Sequence, residues 1–96
     1  MNTASRFLLA ILFIIPGILH GQVEFIEVKS REEMDAARKQ ASDQMLMIFV
    51  DVYATWCGPC KMMDSEVFAN PTVSDYMKDH YLSLKVDGES DFGRIY

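Results

Sequence analysis

The sequence is short of the groups that bind metals and nucleic acids. Its 96 residues include two cysteines and two histidines, with 14 acidic against 9 basic residues. A structural zinc site needs four ligands, and the histidines are distant in sequence from the single cysteine pair. The formal charge of −5 and the lack of a basic patch argue against nucleic-acid binding. Phosphate-binding glycine loops, repeats and low-complexity segments do not occur, and the length allows one domain at most.

The N-terminal apolar run, Phe7 to Leu19, is shorter than the about 20 residues that a membrane-spanning helix needs. It follows a short segment with one positive side chain, Arg6, and ends just before the small residue Gly21. This order is typical of a secretory signal peptide, so we predict a signal at 1–21 and a domain at 22–96. A retained anchor or a buried helix is the alternative. Export would place the domain in a periplasm or outside the cell, where disulfides form.

Both cysteines lie just after a second apolar run, Met45 to Tyr53. This run lacks polar alternation, which is typical of a strand buried on both faces of a sheet. Cys57 and Cys60 then come where the strand should stop and a helix should begin, and Pro59 suits the first helical turn. Helix N–H groups stabilise a thiolate. We therefore expect an exposed, easily deprotonated Cys57 with a shielded Cys60 behind it, which suits a nucleophile and its resolving partner.

The predicted helix, from about Pro59 to Phe68, should place Cys60, Met63 and Val67 on one face at i, i+3, i+7 spacing. That face should pack on the sheet.

Asp51 is the third candidate, because it is a carboxylate within the apolar run. Burial of a charged carboxylate is costly, so its pKa should rise. It lies six residues before Cys57, so we expect it behind the cysteine pair. A buried acid there could take the proton of Cys60 when that thiol attacks a mixed disulfide. The alternative is a strand-end aspartate whose oxygens lie in water.

The segment Phe-Val-Asp-Val-Tyr-Ala-Thr-Trp-Cys-Gly-Pro-Cys-Lys resembles the active-site segment of thioredoxin-like proteins. The match includes Asp51, Trp56, Cys57, Gly58, Pro59, Cys60 and Lys61. The resemblance implies that Cys57 is the nucleophile, Cys60 the resolving thiol and Asp51 the buried proton acceptor. It also implies that Trp56, Gly58 and Pro59 form the substrate-binding surface beside the disulfide. Half of a zinc site and an inert structural disulfide are the alternatives for the pair.

The remaining sequence predicts the order strand, helix, strand, helix, helix, strand, with parallel strands. The predicted segments are a strand at Gln22–Val28, a helix from Arg31 after the capping box of Ser30 and Glu33, a helix capped by Asn70, a strand at Tyr81–Asp87 and a helix starting near Asp91. The first helix should bury Met34, Ala37 and Ala41, pair Asp35 with Lys39 and end at Ser42–Gln44. The second should turn Val73, Tyr76 and Met77 inward.

This order resembles the N-terminal part of an α/β thioredoxin-like fold, βαβααβ. The family continues with an antiparallel hairpin, which starts at a cis-proline facing the cysteines, and a last helix. The prolines here are Pro16, Pro59 and Pro71, and none can fill that role. We therefore expect the hairpin and last helix to be absent and the chain to be truncated at its C-terminus.

The sequence thus predicts an exported thiol:disulfide oxidoreductase that reduces disulfides in substrate proteins and needs no metal or organic cofactor. Its Gly-Pro pair resembles that of reducing thioredoxins, and a membrane dithiol is the plausible electron donor. An oxidase or isomerase of the same fold is one alternative. A non-catalytic interaction module with a static disulfide and a zinc-binding dimer are the others.

Overall fold

The computed structural model describes residues 21–95 of the chain. The elements in chain order are β1 (Phe25–Glu27), α1 (Arg31–Asp43), β2 (Met47–Tyr53), α2 (Gly58–Met62), a π-helical turn (Met63–Val67), α3 (Pro71–His80), β3 (Tyr81–Asp87) and α4 (Asp91–Ile95). This is the predicted βαβααβ order followed by one short helix. The antiparallel hairpin and last helix expected to be absent do not occur within residues 21–95, and the fold is the α/β, thioredoxin-like one that was predicted.

The three strands form one sheet in the order β1-β3-β2, and both neighbouring pairs are parallel, as predicted. The central strand of the three is β3, and β2 lies at one edge. As a strand at the edge of the described sheet, β2 leaves Met47 68% and Val52 59% exposed. The prediction that β2 is buried on both faces is therefore wrong, because apolar content alone does not show which part of a strand the helices cover.

Alternation along the parallel strands gives the sheet two faces. The face we call the aliphatic face carries Ile26, Val28, Ile48, Val50, Val52, Leu82, Leu84 and Val86. The face we call the cysteine face carries Phe25, Glu27, Met47, Phe49, Asp51, Tyr53, Tyr81, Ser83, Lys85 and Asp87. One row across the sheet on the cysteine face pairs Glu27 with Lys85 and Lys85 with Asp51.

Helix α1 covers the aliphatic face. Met34, Ala37 and Ala41 are buried in one cluster with the aliphatic side chains of β3, as their spacing predicted. The Ser30 half of the predicted capping box forms, since the Glu33 N–H donates to Ser30 Oγ at 3.1 Å. Glu33 Oε2 accepts from the N–H of Lys29, one residue before the cap, at 2.8 Å. A single face of α1 thus supplies this part of the core.

Helix α2 and the π-helical turn lie over the cysteine face. Phe68, the residue after the π-helical turn, is 5% exposed and packs edge-on against Phe25 and Phe49, with ring centroids 5.1 and 6.0 Å away. Helix α3 then begins at its predicted cap, where Asn70 Oδ1 accepts from the Thr72 N–H at 2.9 Å. Aromatic packing therefore anchors the chain just after the two cysteines.

Several local predictions differ from the structure. Met45 was placed in β2, but it has φ 57° and is 91% exposed, so it forms the turn and β2 begins at Met47. Met63 was placed on the inward face of the cysteine helix, but it is 43% exposed. There the helix widens into an i→i+5 turn, with the Phe68 N–H donating to the Met63 carbonyl at 2.9 Å.

The predicted surface pairing of α1 also differs. Asp35 contacts Arg38 and Lys39 contacts Asp43, at 3.4 and 2.8 Å, in place of the Asp35–Lys39 pair. On α3, Tyr76 was predicted to face inward, but it is 58% exposed and its ring stacks on that of His80.

Both ends of the described region bear on earlier predictions. The first strand is shorter than predicted, Phe25–Glu27 in place of Gln22–Val28. Residues 1–20, and with them nearly all of the predicted signal peptide, lie outside the described residues. Within residues 21–95, none of the helices has the length and apolar character needed to cross a bilayer.

Candidate functional site

Cys57 and Cys60 are joined by a disulfide at the start of α2. Their sulfurs are 2.07 Å apart and their Cα atoms 5.3 Å apart. Cys57 is the N-cap residue of α2, and its Sγ accepts a hydrogen bond from the Cys60 N–H at 3.1 Å. A thiolate on Cys57 would therefore face a backbone donor and the positive end of the helix.

The two cysteines do not differ in burial as predicted, because both are half-buried. Cys60 lines an open cavity of about 420 Å³ on the cysteine face. The other residues lining it are Glu27, Tyr53, Ala54, Thr55, Lys61, Asp64 and Lys85. Cys60 therefore lies beside solvent and several charged groups.

Asp51 lies on the cysteine face in the middle of β2. Its side chain is 19% exposed, and Lys85 Nζ lies 4.0 Å from its Oδ2. Burial raises the pKa of Asp51, the nearby Lys85 lowers it, and the negative charge of Asp64 raises it; the balance is upward. The predicted direction of the shift is confirmed, and the alternative of a water-exposed strand-end carboxylate does not fit this degree of burial.

Lys85 is the charged centre of the cysteine face. Its ammonium donates to both oxygens of Asp64, at 2.9 and 2.8 Å, and its side chain is 20% exposed. It also lies over the rings of Phe25 and Tyr53, 5.1 and 5.3 Å from their centroids. Sequence reasoning missed this residue, although a lysine between Leu84 and Val86 on a buried strand was a signal.

Tyr53 closes the side of the cavity that lies near β1. Its hydroxyl donates to Glu27 Oε1. This hydrogen bond, then desolvation and the charges of Glu27 and Asp87, raise the pKa of Tyr53 to about 12. The phenol therefore stays protonated at any pH at which thiol chemistry runs.

Trp56, Gly58 and Pro59, the residues predicted to contact substrate, are all exposed. Trp56 is 73% exposed, and its indole N–H donates to Glu89 Oε1 at 2.7 Å. Glu89 lies in the turn after β3, so 33 positions separate the partners. Sequence reasoning missed this contact because nothing local links the two residues.

Among residues 21–95, histidine, cysteine, aspartate and glutamate do not form any group of three or more that could hold a metal ion.

Comparisons with known proteins agree with the geometry. A family model described as "Protein of unknown function, DUF255" (Thioredox_DsbH) matches residues 22–96. The thiol:disulfide interchange protein DsbD of Pseudomonas fluorescens is 38% identical over 71 residues, which cover 73% of this chain and 12% of that protein. The DsbD of Klebsiella pneumoniae is 40% identical over 63 residues, which cover 66% of this chain and 10% of that protein.

A plant protein is also similar. Thioredoxin Y1, chloroplastic, of Arabidopsis thaliana is 32% identical over 100 residues, which cover 90% of this chain and 56% of that protein. The chain thus spans a small part of the DsbD proteins and just over half of thioredoxin Y1. Since the family model matches most of the chain and the sheet and helices follow the same pattern, this chain belongs to the Thioredox_DsbH family of thioredoxin-like proteins.

Proposed function

We propose that the chain is a thiol:disulfide oxidoreductase that reduces disulfides in substrate proteins. The observation that carries this proposal is the position of the cysteine pair: Cys57 caps α2, and its sulfur accepts the Cys60 N–H at 3.1 Å. The similarity to proteins named thiol:disulfide interchange protein and thioredoxin supports the same reaction class.

The reaction starts from the dithiol form. The Cys57 thiolate attacks one sulfur of a substrate disulfide, forms a mixed disulfide and releases the other substrate sulfur as a thiolate. The Cys60 thiol then loses its proton and attacks Cys57 Sγ. The second substrate sulfur leaves with the electron pair, and the chain is left with the Cys57–Cys60 disulfide. Two electrons pass from the chain to the substrate.

Asp51 is the proposed proton acceptor for Cys60. It lies on the cysteine face with its side chain largely buried, and the balance of burial and charge raises its pKa. A carboxylate with a raised pKa is a better base than one in water. Cys60 and Lys85 line one cavity, and Lys85 Nζ lies 4.0 Å from Asp51 Oδ2, so we expect a water in this region to carry the proton. Trp56, Gly58 and Pro59 form the exposed surface on which the substrate would lie.

Export belongs to the same proposal. The signal-like segment at 1–21 would direct the domain to a periplasm or outside the cell, and a membrane-embedded dithiol would then return electrons to the pair. Electron supply across a membrane is the natural arrangement, because glutathione and thioredoxin act inside the cell.

Insulin reduction by dithiothreitol tests the catalytic proposal. The parent chain should accelerate precipitation of the insulin B chain, and the Cys57→Ser variant should not. The matched control is Ser65→Ala, in the π-helical turn that follows α2, which should leave the rate unchanged. Equal rates for the parent and Cys57→Ser would remove the proposal.

The direction of electron flow needs a separate measurement. Equilibration of the Cys57–Cys60 pair with glutathione buffers gives its reduction potential. A reductase should fall near about −270 mV, while a strong oxidant would fall near about −120 mV. A potential near about −120 mV would indicate an oxidase or isomerase that uses the same exchange steps.

A further inference from the structure

The cavity beside Cys60 contains an ion pair that the exchange reaction does not itself require. Lys85 Nζ donates to both oxygens of Asp64 at 2.8 and 2.9 Å, but lies 4.0 Å from the nearest oxygen of Asp51. The carboxylates of Asp51 and Asp64 thus compete for the Lys85 ammonium, and Asp64 makes the closer, bidentate contact.

Asp64 owes this position to the helix that carries the cysteines. It comes four residues after Cys60 and therefore lies on the same side of that helix. The π-helical turn Met63–Val67 contains it, and Phe68 fixes the end of that turn against the rings of Phe25 and Phe49. The carboxylate is thus held over the sheet by packing on the C-terminal side and by the cysteine pair on the N-terminal side.

Lys85 is equally restrained from the side of the sheet. It stands in the row between Glu27 and Asp51, with its ammonium over the rings of Phe25 and Tyr53. Charged and titratable groups reach this region from every packed element. They are Glu27 on β1, Asp51 and Tyr53 on β2, Cys60 and Lys61 on α2, Asp64 on the π-helical turn, and Lys85 and Asp87 on β3.

The charges in this region do not balance. Two lysines line the cavity, and Lys85 is the one in contact with Asp51 and Asp64. Lys61 is exposed, and Glu27 is engaged by the Tyr53 hydroxyl. Whichever carboxylate holds Lys85 most closely is stabilised as an anion, and the other is left with a greater affinity for a proton.

We propose that Asp64 is a positioning residue that holds the Lys85 ammonium away from Asp51, so that Asp51 remains able to accept the proton of Cys60. The inference rests on the proposed function and adds to it a residue outside the cysteine motif. In the resolving step, the Cys60 S–H bond breaks and its proton passes to the Asp51 carboxylate. The Cys57–Cys60 S–S bond forms as the bond from Cys57 to the substrate sulfur breaks, and that sulfur leaves as a thiolate.

The test is a carbon-13 NMR titration of the Asp51 side-chain carboxyl in the reduced full chain. In Asp64→Asn, Lys85 loses its closer partner and turns to Asp51, so the Asp51 midpoint should fall by about one pH unit or more. Asp64→Glu keeps the charge and should restore the parent midpoint. The matched control is Asp43→Asn, which removes the other 2.8 Å lysine–aspartate contact, on the exposed surface of α1, and should leave the midpoint unchanged.

A double variant shows whether the effect passes through Lys85. Lys85→Met should raise the Asp51 midpoint, and adding Asp64→Asn to it should shift the midpoint by less than half of the shift seen in the parent background. Full additivity of the two changes would overturn the positioning role and leave only direct repulsion between the carboxylates. An Asp64→Asn midpoint equal to that of Asp43→Asn would also overturn it.

The pH profile of insulin reduction gives a second readout. The acidic limb of the profile should move to lower pH in Asp64→Asn and return in Asp64→Glu, while Asp51→Asn should remove that limb. An unmoved limb in Asp64→Asn contradicts the inference alone. If the parent chain reduces insulin no faster than Cys57→Ser, the proposed function is contradicted. The NMR titration does not depend on activity, so it still tests the Asp64–Lys85 arrangement separately.

Discussion

The two faces of the sheet are built from different chemistry. The aliphatic face packs Leu84 and Val86, 0% and 1% exposed, against a single apolar stripe of α1. The cysteine face carries an ion-pair cluster, a tyrosine–glutamate hydrogen bond and edge-on aromatic contacts, and neither α2 nor the π-helical turn has a buried residue. The comparison indicates that one face supplies most of the stability and that the other holds reactive groups in a partly solvated setting.

The largest expected effect comes from shortening a methionine to alanine, which we compare between the two faces of the sheet. Met34→Ala, at a residue 1% exposed under the aliphatic face, should lower the free energy of unfolding by about 2–5 kcal/mol. Met63→Ala, at a residue 43% exposed over the cysteine face, should lower it by less than about 1 kcal/mol. Urea unfolding of the oxidised chain measures both, and similar losses would break the comparison.

Reduction of the disulfide should have the next largest effect. The Cys57–Cys60 bond closes a loop with a sequence separation of 3, and the chain-entropy relation for so short a loop gives a stabilisation of about 2 kcal/mol. Urea unfolding with and without a phosphine reductant should show that difference. A Cys57→Ser, Cys60→Ser variant should unfold identically under both conditions. A loss above about 5 kcal/mol would mean that the cysteine face carries more stability than its packing suggests.

Asp51→Asn should change stability in a pH-dependent direction. Because the folded pKa of Asp51 is raised above 3.8, the folded state binds its proton more tightly than the unfolded state. The parent therefore loses stability as the pH rises from about 3.8 to the raised folded value, and the loss stays constant above it. Asp51→Asn should be more stable than the parent at neutral pH and not at pH 3. Asp35→Asn, at an exposed α1 site, is the control, and a destabilised Asp51→Asn at neutral pH would contradict the burial argument.

The smallest effect is spectroscopic. Tyr53, with a pKa of about 12, should ionise about two pH units later than an ordinary tyrosine. Ultraviolet titration should show one late step that is absent in Tyr53→Phe and earlier in Glu27→Gln, which removes the acceptor charge. The hydrogen bond then contributes to stability below about pH 10, and the contribution is lost as the pH rises to about 12. A single titration near pH 10 for all the tyrosines would contradict it.

Local sequence signals predicted most of the elements. The capping box at Ser30 and Glu33 set the start of α1, Asn70 and Pro71 set the start of α3, and the stripe of Met34, Ala37 and Ala41 set the buried face. Each of these signals acts within four residues, so it can be read without knowing the fold. Met63 is an exception. It is exposed because an i→i+5 turn, which the sequence pattern did not predict, changes the helix period there.

The cysteine motif, its place at a helix start and the raised pKa of Asp51 followed from the sequence alone, because they depend on neighbours along the chain and on apolar composition. The tertiary structure decided which strand is central and which charges meet: Asp64 and Lys85 are 21 positions apart, Tyr53 and Glu27 are 26 apart, and Trp56 and Glu89 are 33 apart. Those contacts depend on the register of parallel strands, which is set when distant segments pack together and leaves no local pattern in the sequence.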